Sequence, residues 1–343
     1  MAEKIQKAPL APLQPFSENK TTQLDHIVIL VSPEDFMHVP SWLSDNFTII
    51  EGGTHSKGTS RNKLIILKDG TYIELFSWVD PQPAGVQAHA DFPGWAQKPV
   101  GCIIDWALTG DDAHGKYHDM SRRLQAMESQ GEHLGVVYDE PKEGGRKRKD
   151  GEELRWVTTR ARSADSEQNV PQANVPFFCH DVSPRTRRVP YTEESDDRWP
   201  ELVTHPCGAV GIEEIVIEIP APHFKAYIKL YESIIGSESV LHTEQSAMML
   251  IGTPELVAQE NTTNTNSTTS QSDDIKAPDA GPLRCLVRLV PSLSGPTGLA
   301  GQHSAAIKKL TLHTVKKNPH NELDTRGFAT SIELRYREPE NSD

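Results

Sequence analysis

Apolar positions along this chain fall into short runs whose spacing changes from two to between three and four and back again. Leu24–Val31 (LDHIVILV) is a β-branched run that stops at Ser32-Pro33, where helix-start chemistry begins. Phe36, Val39, Trp42 and Leu43 then follow at helical spacing over 33–46, with Pro40 as a kink. Phe47–Glu51 reads as a strand closed by Gly52-Gly53. Lys63–Leu67 and Thr71–Trp78 read as a hairpin turning at Lys68-Asp69-Gly70, where Asp-Gly supplies positive φ. The order is β-α-β-β-β.

It recurs twice. Val100–Thr109 leads into Asp111-Asp112, which can cap a helix over Ala113–Gln130 that Gly131 ends. Strands follow at Leu134–Tyr138, Leu154–Thr159 and Val175–His180, with a basic stretch enlarging the loop between the first two. A third unit opens at Ala209–Ile219, with a helix over Phe224–Ile235 ended by Gly236. Strands at Ser239–Thr243, Ala247–Ile251, Leu283–Val290, Ile307–Val315 and Ala329–Tyr336 complete it. This gives an α+β protein of repeated βαβββ modules: a disordered arm (1–22), paired modules (23–182), a linker (183–208) and a third module (209–338). A polar insertion at 258–281, containing NTTNTNSTTSQSDD, is expected to be disordered.

Composition narrows the partners. Of 343 residues, 36% are hydrophobic and the formal net charge is −13, so the surface repels phosphate backbones and nucleic acid is not expected as a partner. Arg146–Lys149 is the local exception and reads as a solvated loop. The four cysteines lack CxxC spacing, and no apolar run reaches the roughly 18 residues of a membrane helix. The N-terminus carries no apolar signal core, so a cytoplasmic protein with no membrane partner is expected.

Several ordered motifs together carry a resemblance. LDHIVILV, GGTHSKGTSRNKLIILKDGTYIELFSW, GCIIDWALTGDD, RKRKDGEELRW, VPFFCHD and THPCGAVGIEEIVIEIP resemble the glyoxalase-like proteins of the vicinal-oxygen-chelate superfamily, from about Leu24 to Val315. The resemblance implies modules curling into half-barrel sheets around a cleft. It also implies a divalent metal (zinc, nickel, iron or manganese) on residues of the first and last strands, polarising vicinal oxygens of a small substrate. In the first module those positions fall on His26 and Glu74. Strand-end alignment puts Ile103 at the place of His26 in the second module, and an isoleucine cannot ligate. His180 lies near the place of Glu74, giving His26, Glu74 and His180 as one ligand set. A set using Glu214 and Glu333 is the alternative.

Other candidates surround these. Strand alternation places Tyr72, Glu74 and Phe76 on one face, which looks more like a pocket wall than a washed surface. The Gly-rich stretch from Gly52 to Asn62 reads as a turn connection, or as a pocket loop offering His55 as general base and Thr59 and Asn62 as ligand contacts. Arg148, with Trp156, is either an exposed turn cation or an anchor for an anion. The expected activity is binding of a small oxygenated metabolite, with metal-assisted lyase, isomerase or dioxygenase chemistry through His55 and Glu74. The alternative is metal-free binding or sequestration without catalysis. Oligomeric state is not legible in this sequence.

Overall fold

The structure, a computed structural model, describes residues 22–130, 135–148, 151–164, 175–193, 195–254, 284–292, 306–318, 320, 322–325 and 331–336. The N-terminal arm through residue 21, Gly131 and the polar insertion at 258–281 lie outside them. The first module comprises β1 (Gln23–Leu30), α1 (Pro33–Met37), α2 (Ser41–Ser44), β2 (Ile50–His55), β3 (Ser60–Ile66) and β4 (Tyr72–Trp78). Ser32 caps α1 by accepting from the Asp35 amide at 2.9 Å. The single helix expected over 33–46 is two short ones, parted before Pro40, whose ring cannot continue the ladder.

The second module comprises β5 (Cys102–Thr109), α3 (Ala113–Ser129), β6 (Val136–Tyr138), β7 (Lys142–Lys147), β8 (Glu153–Thr159), β9 (Ala161–Ser163) and β10 (Phe177–Asp181). Eight strands close a barrel in the order β1-β4-β3-β2-β7-β8-β10-β5, while β6 and β9 form a separate ribbon. Two corrections to the sequence reading follow. The Gly52-Gly53 pair does not end a strand; β2 runs through it. The basic stretch is not wholly loop, because β7 pairs with β2 and closes the barrel.

Glycine makes both strands possible. A Cβ on Gly52 would stand 2.1 Å from Asn62 Oδ1, one on Gly53 2.8 Å from Arg146 Nη1, and one on Gly144 2.7 Å from Trp156 Nε1. Larger side chains from neighbouring strands lie across these positions.

After α4 (Arg185–Arg188) and α5 (Trp199–Leu202) come β11 (Ala209–Pro220), α6 (Phe224–Ile235), β12 (Leu241–His242), β13 (Ala247–Ile251), β14 (Cys285–Ser292), β15 (Ala306–Thr314) and β16 (Ser331–Tyr336). They form an open sheet ordered β12-β13-β14-β11-β15-β16. This repeats the barrel's path β2-β3-β4-β1-β5-β10, with the same parallel and antiparallel pairings. Even the bulges recur: Leu24/His26 and Val28/Ile29 in β1, Ile212/Glu214 and Val216/Ile217 in β11. Among the described residues the open sheet has no counterparts of β7 and β8. Thus β15 and β16 take the places that β5 and β10 hold in the barrel.

One core joins the two halves. Ile27, Ile29 and Trp106 from the barrel's outer face pack with Ile215, Leu310 and Tyr231, and the Trp106 and Tyr231 rings stack at 6.3 Å. The β3–β4 turn adds a polar latch. Asp69 accepts from the Thr71 amide (2.9 Å) and hydroxyl (2.6 Å) and from the Ile212 amide (3.2 Å), and its own amide donates to Val210 O. Gly70 holds φ +81°, and a Cβ there would lie 2.9 Å from Pro254. No helix among the described residues is long and apolar enough to cross a membrane.

The segment after β10 seals one side of the barrel. Asp25 sits at the bulge of β1, fully buried. Arg188 donates to both its oxygens (3.0 and 3.1 Å), to Asp181 (2.5 and 2.7 Å) and to the Tyr72 hydroxyl (2.7 Å); Arg185 bridges Asp25, Asp181 and Gly70 O. Burial alone would push the Asp25 carboxyl up, but Arg188 and Arg185, with His26, hold it well below the usual range.

Two predictions follow. Asp25→Asn should destabilise the fold by about 3–5 kcal/mol in urea unfolding at pH 7, because two buried guanidinium groups lose their shared partner. This contribution exists above the unfolded carboxyl pKa and disappears only as pH falls through the depressed folded value. A loss under about 1 kcal/mol would show that the network does not hold the barrel. Asp69 has the opposite sign. Burial pushes its carboxyl from 3.8 up to about 6, so its favourable contribution is complete below pH 3.8 and lost as pH rises through about 6. Relative to Asp69→Asn, the wild type should lose about 2 kcal/mol of unfolding free energy between pH 4 and pH 7. Parallel pH profiles for the two proteins would contradict it.

Candidate functional site

Alternation along the barrel strands decides what reaches the interior. His26 from β1, Tyr72 and Glu74 from β4, Asn62 and Leu64 from β3, His55 from β2 and Arg146 from β7 line a cavity of about 50 Å³. Trp156 and Thr158 from β8 and Phe177 and Cys179 from β10 complete the wall with Arg160, Arg188, Phe92 and Trp95. A larger surface cavity of about 230 Å³ lies between α3 and β6, but it contains no histidine and its Arg162 is already paired with Asp139 at 2.8 Å. His26, His55 and Glu74 gather in the barrel cavity instead.

Glu74 is the hub. Its Oε1 accepts from Asn62 Nδ2 at 2.7 Å and faces His55 Nε2 at 3.8 Å, while its Oε2 faces His26 Nε2 at 3.4 Å. The other ring nitrogens fix the tautomers. The ionised Asp25 only accepts, so His26 Nδ1 donates to it at 2.7 Å. Ser60 Oγ gives its one proton to Asp91 Oδ2 at 3.0 Å, so His55 Nδ1 donates to Ser60 Oγ at 3.0 Å. In the neutral rings both Nε2 atoms therefore point bare lone pairs at Glu74. His26 also stacks on Tyr72 at 4.6 Å. Burial lowers the His55 pKa, against the opposing pull of Glu74 and Asp91.

The cations differ in how well they are satisfied. Arg188 is saturated by Asp25, Asp181 and Tyr72. Arg160 lies over the Phe177 ring at 4.2 Å and reaches Asp105 at 3.4 Å. Arg146 is only 7% exposed, and its buried Nη1 has no hydrogen-bond partner. Burial works against its charge; Tyr72 and Glu74 support it from a distance.

Of the residues expected from sequence, His26, His55, Asn62, Glu74 and Trp156 converge on the cavity. Three do not. Thr59 instead donates to Asp91 through its hydroxyl (2.7 Å) and amide (2.9 Å). Arg148 lies outside the barrel, paired with Glu152 at 3.1 Å, and Arg146 takes the inward position two residues earlier. His180 faces away, since alternation along β10 turns Phe177 and Cys179 inward; its Nδ1 is bound to Gly110 O at 2.7 Å. Ile103 likewise packs in the outer core and pairs with Ile29, while Ile104 and Ala107 join the apolar cluster inside the barrel and Asp105 reaches Trp95 Nε1 at 3.0 Å and Arg160 at 3.4 Å.

The donors do not form the expected metal set. The His26, Glu74 and His180 trio is not assembled, and the two histidines address different oxygens of Glu74, one of which Asn62 already occupies. Among the described residues no three His, Cys, Asp or Glu side chains are grouped to hold a metal ion. Burial pushes the Cys179 thiol far up, so it offers no thiolate. Glu214 and Glu333, the alternative ligands, lie on the open sheet, paired with Arg288 and Lys309 at 2.6 Å.

Sequence reasoning missed Asp25, Arg146, Arg160 and Arg188. Asp25 was visible beside His26, and the parity of Gly144 and Arg146 against Trp156 would have singled out Arg146 once β7 was taken as a strand.

Comparison with known proteins agrees with this architecture. The sequence profile of the glyoxalase-like domain matches residues 24–234, more than half of the chain. No curated protein sequence matches it. Among solved structures, a hypothetical protein from Staphylococcus aureus aligns at 12% identity with a TM-score of 0.56, covering 92% of this chain and all of that one. A mutant 4-hydroxymandelate synthase from Streptomyces coelicolor aligns at 10% identity and TM-score 0.41, covering 86% of this chain and 71% of that one. A mutant glyoxalase I from Zea mays aligns at 10% identity and TM-score 0.28, covering 93% and 95%. With the matching profile spanning the whole barrel, the chain belongs to the glyoxalase-like domain family.

Proposed function

We propose that the barrel binds a small oxygenated metabolite through a carboxylate, and that Glu74 exchanges a proton with it. Arg146 carries this reading. A guanidinium buried without a hydrogen-bond partner costs several kcal/mol, and a planar anion in the cavity would offset that cost with paired hydrogen bonds. Glu74, held by Asn62 and flanked by His26 and His55, is the group with a proton to give or take beside such a ligand. Phe92, Trp95, Trp156 and Phe177 exclude water around it. The donor arrangement supports acid–base chemistry by side chains, with no step through a metal.

Metal-free binding without turnover is the second reading. It is favoured by the apolar inward residues Ile104, Ala107 and Phe177 that the second module presents to the barrel.

Arg146→Met tests the first claim in two directions. Removing the unpaired charge should raise the stability of the ligand-free protein by about 1–3 kcal/mol. It should also abolish the rise in Tm that millimolar 2-oxo or 2-hydroxy acids of two to four carbons give the wild type. A variant that loses stability and keeps the ligand response would overturn the assignment. Glu74→Gln should retain the Tm rise yet lose deuterium uptake from D2O at the ligand carbon beside the carbonyl. Wild-type protein that binds and never exchanges that hydrogen would favour binding alone.

A further inference from the structure

We infer that His55, Ser60 and Asp91 form a proton conduit connecting the buried Glu74 to solvent, with Ser60 and Asp91 as positioning residues of the site. This rests on the reading of Glu74 as the proton-exchanging group. A carboxyl sealed in a barrel can act repeatedly only if its proton communicates with water, and the two sides of Glu74 differ in whether they allow this.

The His26 side is a dead end. His26 Nδ1 ends on Asp25, which is wholly buried and surrounded by Arg185 and Arg188, and guanidinium groups do not release protons. The Tyr72 hydroxyl accepts from Arg188 there, and burial raises its pKa far up.

The His55 side runs outward. Glu74 Oε1 lies 3.8 Å from His55 Nε2, His55 Nδ1 is 3.0 Å from Ser60 Oγ, and Ser60 Oγ is 3.0 Å from Asp91 Oδ2. Asp91 is only partly buried, on the loop after β4. It is locked by four donors: the Lys57 amide, the Thr59 amide and hydroxyl, and Ser60 itself. Thr59 thus contributes by holding the end of this chain. The charged groups facing His55 are Glu74, Asp91 and Arg146, and the rings of Phe76 and Phe92 pack against it. Burial keeps the His55 ring in the neutral form that can accept at Nε2.

The transfer balances without any co-reactant. When the proton of a protonated Glu74 adds to His55 Nε2, the Nδ1 proton passes to Ser60 Oγ and the Ser60 proton passes to Asp91, which yields it to water. The reverse shift returns a proton by the same bonds.

The test needs no ligand and uses the full chain with 15N-labelled histidine. Wild-type His55 should be the Nδ1-protonated tautomer, and Ser60→Ala should shift it toward Nε2-protonated. Exchange of the His55 ring N–H proton with D2O should slow by at least about tenfold in both Ser60→Ala and Asp91→Asn. Ser60→Thr, which keeps the hydroxyl, should restore the wild-type rate, and unchanged melting profiles would confirm that the variants fold. Unaltered tautomer and exchange in both variants would overturn the conduit. Arg146→Met should leave this exchange intact. Loss of ligand binding with a Ser60-dependent exchange would therefore remove the proposed function and spare the conduit; the converse result would do the reverse.

Discussion

Burying a carboxylate inside a β-barrel is unfavourable unless counter-charge reaches it, and Asp25 sits where this requirement organises its surroundings. The bulge in β1 takes Asp25, the residue before His26, out of the regular pairing with β5. Neutralising it draws Arg185 and Arg188 in from α4, so the segment after the barrel becomes part of the barrel's floor. The same carboxylate fixes the His26 tautomer and thereby the face that His26 shows to Glu74. Fold stability and site chemistry share one group, and neither can be altered alone.

The open sheet shows what the same skeleton becomes with other residues. Its bulge places Glu213 and Glu214 at the positions of Asp25 and His26, and Arg288 pairs with Val216 as Glu74 pairs with Val28. There the charges cancel locally: Arg288 and Arg335 bond Glu214 and Glu213, and Lys309 bonds Glu333. The barrel differs in leaving Arg146 buried and unbonded. The two halves thus share a topology and differ in how the charged groups on it are satisfied.

Much of the fold was legible because apolar periodicity is strong where one face is buried. LDHIVILV, YIELF and AVGIEEIVIEI all form strands, and Glu74 shares its inward face with Tyr72 and Phe76. KEGGRK was not legible. Its inward positions are Gly144 and Arg146, so the strand has no apolar alternation and is held by its neighbours. His180 failed for the opposite reason: in FFCHD every residue but the last is buried, so composition could not say which pair faces in. Long-range partners such as Asp25 with Arg188 leave no local trace in a single sequence.

Closure at β2 and β7 rests on two residue pairs, Thr54 with Lys147 and His55 with Arg146. The β3–β4 ladder, by contrast, runs through seven. Local opening costs least where the ladder is thinnest, which in this barrel is here and at β5–β10, where Phe177 and Phe178 pair with Ala107 and Leu108. The two lips of the β2–β7 seam carry the conduit's histidine and the unsatisfied guanidinium. An anion that pinned Arg146, as the proposed function requires, would therefore also bridge the two strands of this seam and hold it closed.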